Sequence, residues 1–240
     1  MSKSALKHLP IILFALFSAS CGELQQVINQ LPQNAILGES EIAAGLQQAL
    51  NQGIDKQVSK LAEANGFYNN ELVKILLPEE LKKVDATLRD IGLGSLADKG
   101  LKIMNSAAET AVKEATPIFV DAVKSMTIGD AKSILLGSND AATEFLKSQT
   151  STSLYNKFKP IIANSFDKVG ANQIWSNIIN RYNAIPMTND VNPDLTDYVT
   201  NKALKGVFTM IAVEELEIRS KYSSRTTDLL KRVFALQDGK

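Results

Sequence analysis

From Glu39 onward, apolar residues return at every third or fourth position, and nowhere do they alternate in the manner of a strand. Side chains three and four apart share one helix face, whereas a half-buried strand needs a period of two. That periodicity restricts the chain to an all-α fold. Ile42, Leu46, Ala49/Leu50, Gly53/Ile54 and Val58/Leu61 set the pattern for an amphipathic helix over 40–64, and Asn65-Gly66 reads as its stop. Leu77-Pro78-Glu79-Glu80 reads as the next start, with proline in the first turn and acids near the positive end of the dipole. That helix ends near Gly92 and Gly94.

A helix over 95–116 follows, broken by Pro117. Thr127-Ile128-Gly129-Asp130 has the spacing of a capped N-terminus, with the helix ending at Gly137. Further helices are expected over 141–149, over 153–169 with Pro160 inside, and over 172–183. A loop over 184–194 separates these from a long helix, 194–221, and a short closing one, 226–236. Val207-Phe208-Thr209-Met210-Ile211-Ala212-Val213 is apolar on nearly every face, which predicts a buried central helix. The expected architecture is a single bundle-like domain over 39–240 with a long buried C-terminal helix.

The N-terminal stretch has another purpose. Lys3 and Lys7 lead into the apolar run Ile11-Ile12-Leu13-Phe14-Ala15-Leu16-Phe17, which ends in Ser18-Ala19-Ser20 before Cys21, the only cysteine. A basic start, a short apolar core and small residues make an export signal over 1–20. The run is too short to span a hydrocarbon core, which takes roughly 20 apolar residues. Its order resembles the lipobox of bacterial lipoproteins, with Ser18 where most have leucine. The resemblance implies cleavage before Cys21, diacylglycerol on its thiol and acylation of its amine. Ordinary secretory cleavage at the same place is the alternative, and would leave a free thiol. Residues 21–38, rich in Gln and Asn around Pro32, read as a tether. Gly22 after the cysteine fits outer-membrane sorting by analogy with enteric lipoproteins. The expected location is therefore the cell envelope, lipid-anchored and facing the periplasm.

Composition then narrows the chemistry. The chain has 26 basic and 26 acidic residues, which gives no electrostatic reason to propose nucleic acid as a partner. Its one histidine, His8, lies in the signal. The exported part thus lacks imidazole, and its only thiol is the presumed lipid site. Ser–His–Asp and Cys–His catalysis are excluded, along with zinc, haem or di-iron sites that need His or Cys. No phosphate loop, dinucleotide fingerprint or calcium loop is present. No cofactor and no metal are called for. What remains is carboxylate acid–base work, oxygen-ligated metals, Ser–Lys or Tyr/Lys catalysis, or no catalysis.

Two polar constellations stand out. Asn105 and Glu109 share a helix face, either as a polar pocket with Glu109 as acid–base group, or with Glu109 simply paired to Lys113. Glu214, Glu215, Glu217 and Arg219 follow the most apolar segment, and Arg225 lies just beyond. Buried there, these charges must be paired. Glu215, Arg219 and Arg225 are expected to form an ion-pair network joining the last two helices; a carboxylate-lined ligand site is the alternative. Thr226 and Thr227 read as helix caps, and Trp175 and Tyr182 as core packing on one helix face.

Several segments together resemble the DUF4197 family of bacterial exported proteins. They include Gly66-Phe67-Tyr68-Asn69-Asn70, Leu77-Pro78, Met104-Asn105-Ser106-Ala107-Ala108-Glu109 and Met126-Thr127-Ile128-Gly129-Asp130-Ala131. Ile134-Leu135-Leu136-Gly137, Ala141-Ala142-Thr143, Asp197-Tyr198-Val199-Thr200, Glu214-Glu215-Leu216-Glu217-Ile218-Arg219 and Arg225-Thr226-Thr227-Asp228-Leu229-Leu230-Lys231 complete the match. The resemblance implies a helical fold and an envelope location, and assigns no activity. The functional expectation is a lipid-anchored module that binds or scaffolds, taking an envelope protein or an apolar molecule as partner. The alternative is a carboxylate-dependent enzyme on cell-wall glycan, with Glu109 or Glu215 as the acid.

Overall fold

Apolar periodicity becomes helix throughout the computed structural model, which describes residues 37–92, 94–187 and 189–238. The expected export signal, Cys21 and nearly all of the expected tether lie outside the described residues. Helix α1 (Glu39–Ala62) opens at Gly38, whose N–H donates to the Glu41 carboxylate at 3.0 Å. It ends at the expected stop, with the two roles exchanged. Asn65 adopts the left-handed conformation (φ 65°), whereas Gly66 lets the chain pass close beneath the helix end. A Cβ on Gly66 would lie 2.4 Å from the Lys60 carbonyl oxygen and 2.6 Å from that of Leu61.

The segment that follows folds back in successive turns and buries Phe67, Val73 and Ile75. A 3₁₀ turn (Glu79–Leu81) leads into α2 (Lys82–Asp90), and α3 spans Gly94–Val112. The break before α4 (Ala115–Ser125) falls at Lys113 and Glu114, so Pro117 is not the breaker. It sits in the first turn of α4, where a missing N–H leaves no helical bond unmade. Thr127 caps α5 (Ile128–Leu135) as its spacing predicts: its hydroxyl accepts from Asp130 N–H at 3.1 Å, and the Asp130 carboxylate accepts from Thr127 N–H at 2.9 Å.

Where two helices are expected over 141–169, the structure has one, α6 (Ala141–Asp167). The polar run between them breaks nothing, because Ser148, Thr150 and Ser151 each donate a hydroxyl to a carbonyl three or four residues back. Gly170 (φ 65°) separates α6 from α7 (Ala171–Asn183). Beyond the loop run α8 (Leu195–Ser220), a 3₁₀ turn (Tyr222–Ser224) and α9 (Asp228–Asp238). The Asp194 side chain caps α8 by accepting from Asp197 N–H, and Thr227 takes the capping role before α9 by accepting from Leu230 N–H.

Among the described residues there is no strand, and residues 38–240 form one compact unit. Helix α8 is its centre, packed by α1, α3, α6 and α7, while α4, α5 and α9 lie against α1. Phe208 on α8 meets Phe119 on α4 edge to face, with centroids 5.8 Å apart. Gly206 lets the Phe67 ring close on α8, since a Cβ there would stand 2.6 Å from Phe67 Cε1. Helix α8 is the buried central helix that its apolar run predicts. Val207, Phe208, Met210 and Ile211 are buried, but Val213 is 37% exposed and Leu216 47%. Among the described residues, no helix covers that narrow strip.

Candidate functional site

The buried charges and amides of this domain converge on the ends of helices. Glu215 and Arg219 lie one turn apart on α8, and both are buried. Arg219 Nε and Nη2 donate to Glu215 Oε1 at 3.0 and 2.8 Å. Each ion also closes a helix terminus. Glu215 accepts from Ala142 N–H at 2.9 Å and from Thr143 N–H and hydroxyl at 2.8 Å each, which satisfies the orphan donors that open α6. Arg219 donates to the carbonyls of Ile134 (2.8 Å) and Leu135 (3.2 Å) at the end of α5, the first of which also accepts from Gly137 N–H at 3.2 Å. Negative charge thus meets a helix N-terminus and positive charge a C-terminus, the favourable sense of both dipoles. With a further bond from Nη1 to Gln237 Oε1, all five guanidinium donors are engaged.

Arg225 joins this cluster by a different route from the one expected. It does not meet Glu215; its ion-pair partner is Asp238 on α9, at 2.8 Å from Nη2. Its Nε and Nη2 reach the carbonyls of Ile218 (3.0 Å) and Arg219 (2.8 Å), which close α8. The Asp238 contact raises the Arg225 pKa, and Arg225 in turn holds the Asp238 carboxyl below its ordinary value. The join of the last two helices is therefore built by Arg225, Asp238 and Gln237, whose amide also donates to Arg219 O at 2.9 Å.

Asn105 and Glu109 share a face of α3 as their spacing predicts, and that face holds down the segment between α1 and α2. Asn105 is wholly buried: it accepts from Ile75 N–H at 2.8 Å and donates to the carbonyls of Ile75 (2.9 Å) and Leu101 (2.8 Å). Glu109 accepts from the N–H groups of Asn65, Phe67 and Tyr68 at 3.2–3.4 Å. Among the described residues it makes no ion pair with Lys113. Backbone donors take the place of the cation, because the turn after α1 points three of them inward.

Lys56 and Gln57 carried no signal in the sequence as partners of a buried charge. Glu214, also buried, takes Lys56 at 2.7 Å and the Gln57 amide at 2.7 Å, locking α1 to α8. On the opposite edge, Tyr155 and Lys159 lie one turn apart on α6, a spacing legible in advance. Lys159 donates to the Tyr155 hydroxyl at 3.1 Å, which raises the lysine pKa, and Tyr155 donates to Asp197 near the start of α8. The phenol proton is thereby committed to a carboxylate, and the group straps α6 to α8. Trp175 is core, as expected, but its partners are Tyr198, stacked at 6.1 Å, and Asn192 O, reached by the indole N–H at 3.1 Å; Tyr182 stays half-exposed.

Among the described residues, the space beside these carboxylates is small. A void of about 20 Å³ lies between α1, α8 and α9 beside Leu46, Leu50, Glu214, Glu215 and Phe234, large enough for a single water. A shallow surface groove of about 250 Å³ passes over Leu136, Gly137, Asn139, Leu216 and Ser220, with Arg219 already spent at its floor. Among the described residues, no group of three or more His, Cys, Asp or Glu side chains could hold a metal ion, and no helix is long and apolar enough to cross a membrane.

An all-α domain whose buried charges terminate its own helices is thus the class of protein the fold defines. The family model described as "Protein of unknown function (DUF4197)" matches residues 36–235, and the chain belongs to that family. No curated protein and no solved structure matches it.

Proposed function

We propose that this protein is a lipid-anchored component of the bacterial cell envelope, held at the membrane through Cys21, whose helical domain binds or scaffolds rather than catalyses. The observation that carries the second half is the saturation of Glu109, Glu215 and Arg219. A general acid must reach a substrate proton within hydrogen-bond distance, and Glu215 already accepts five hydrogen bonds. The glycan-cleaving alternative finds no support in that geometry. The first half rests on Ser18-Ala19-Ser20-Cys21 after a short apolar run. One acyl chain anchors only marginally whereas several anchor durably, so a fully processed Cys21 would fix the domain at a bilayer.

Mass spectrometry of the mature N-terminus tests the anchor. An acylated cysteine is expected, and Cys21→Ala is expected to shift the protein out of the membrane fraction. An unmodified Cys21 in the soluble fraction would sink the reading.

A further inference from the structure

Between Asp167 and Asp190 the chain carries no carboxylate, and its only charges are Lys168 and Arg181. The preceding stretch, 145–166, also lacks carboxylates but carries three lysines, whereas this one is nearly uncharged. It also gathers outward apolar side chains. Trp175 and Ile179 fill the inner face of α7, while Ile174 (60% exposed) and Ile178 (48%) stand one turn apart on the outer face. Their exposed neighbours, Gln173, Asn177 and Asn180, are polar but uncharged. Val169 is exposed just before the helix, and Ile185 and Met187 just after it.

The turn beyond α7 is held at its base. The Asn183 amide brackets Val191, donating to its carbonyl at 2.8 Å and accepting from its N–H at 2.9 Å. The Trp175 indole reaches Asn192 O from the same helix. Outside that clamp Met187 is fully exposed and has φ +67°, a region that bulky side chains rarely adopt. Backbone of this kind persists only where the surrounding structure imposes it, and such outliers cluster at functional positions. A thioether is thus presented to solvent by a clamped, disfavoured turn.

We infer that α7 and the turn after it, from Val169 to Met187, form a wedge that seats in the headgroup boundary of a phospholipid bilayer. An apolar helix face with flanking cations is the form that lies in such an interface. The lack of carboxylates between Asp167, which accepts from Asn172 at 3.1 Å, and Asp190 favours an anionic lipid surface over a protein partner, because acids on this face would be repelled and costly to desolvate. Lys168 and Arg181 can keep their charged ends at the phosphates while their stems lie along apolar surface. The inference deepens the anchored reading. Sixteen residues, 22–37, separate Cys21 from Gly38, and the lead can span at most about 60 Å. An anchor on so short a lead supplies the effective concentration that a small wedge needs, and the wedge sets which face meets the membrane.

The experiment removes the lipid so that the two readings are tested apart. In the full mature chain carrying Cys21→Ala no native thiol remains, so Met187→Cys accepts a single polarity-sensitive fluorophore. Vesicles of phosphatidylethanolamine and phosphatidylglycerol at millimolar lipid should raise and blue-shift its emission. The same label at Lys124, exposed on α4, should not respond. Ile174→Asp with Ile178→Asp should weaken partitioning by about tenfold or more while helicity and melting are unchanged. An unresponsive label at Met187, an equal response at Lys124, or a blue shift that grows with protein concentration without vesicles would each overturn the wedge, the last by making it a contact between copies. The acylation state of Cys21 in the native protein is read separately and leaves these outcomes untouched.

Discussion

Glu215 and Arg219 neutralise each other while capping different helices, the carboxylate at the start of α6 and the guanidinium at the end of α5. Their pairing at one turn on α8 therefore sets where two neighbouring helices begin and end. An apolar pair could fill the same volume, but it would leave Leu135 O and the N–H groups of Ala142 and Thr143 without partners.

This arrangement predicts strong coupling. Removing one partner of a buried pair typically costs about 3–5 kcal/mol, because the survivor stays buried and unpaired. Glu215→Gln and Arg219→Met should each destabilise by that order. The double variant should cost less than their sum by about 1–3 kcal/mol. Denaturant melts of all four proteins measure the term, and additive losses would show that the two ions act independently.

Asn105 predicts a local effect. Its side chain is the partner of both backbone groups of Ile75, inside the core and far from water. Asn105→Leu keeps most of the volume and strands one donor and one acceptor, at about 1–3 kcal/mol each. Stability should fall accordingly, and exchange of the Ile75 amide hydrogen should accelerate more than that of amides in α6. Uniform acceleration across the domain would place the loss elsewhere.

The helices were legible because their signals are local. Period, the Thr127–Asp130 box and the Asn65-Gly66 stop each act within a turn or two. The merger of two expected helices into α6 was not, since polar residues look like a break until their hydroxyls are seen bonding back along the helix. At the polar cluster, the Glu215–Arg219 pair could be read from i,i+4 spacing. Arg225 with Asp238, and Glu109 with the turn at Asn65–Tyr68, could not: those partners are brought together by packing over long separations. Sequence names the charges that must be satisfied, and only the fold chooses by what.

Asp238 gives the acid limb of stability a defined contributor. The Arg225 hydrogen bonds hold its folded pKa below the ordinary carboxylate value of 3.8. The stabilisation is therefore present in full above the unfolded value, and is lost as pH falls through the folded one. Asp238→Asn should cost a constant amount above about pH 5, with the gap to the parent protein closing on further acidification. Because the carboxylate is half-exposed, high salt should shrink the gap. A gap that widens in acid would reverse the assignment.

Ile211 and Val213, two residues apart on α8, test which face of the central helix bears the core. Both belong to the apolar run of the buried central helix, and side chains two apart point in divergent directions on a helix. Ile211 is 3% exposed, against 37% for Val213. Truncating the first removes buried methyl groups and leaves a cavity, whereas truncating the second removes surface that water already touches. Ile211→Ala, like Phe208→Ala, should then cost about 2–5 kcal/mol. Val213→Ala should stay within about 0.5 kcal/mol. Equal losses at the two positions would mean that the Val213 and Leu216 strip is covered in solution, and that α8 is enclosed by a contact beyond this domain.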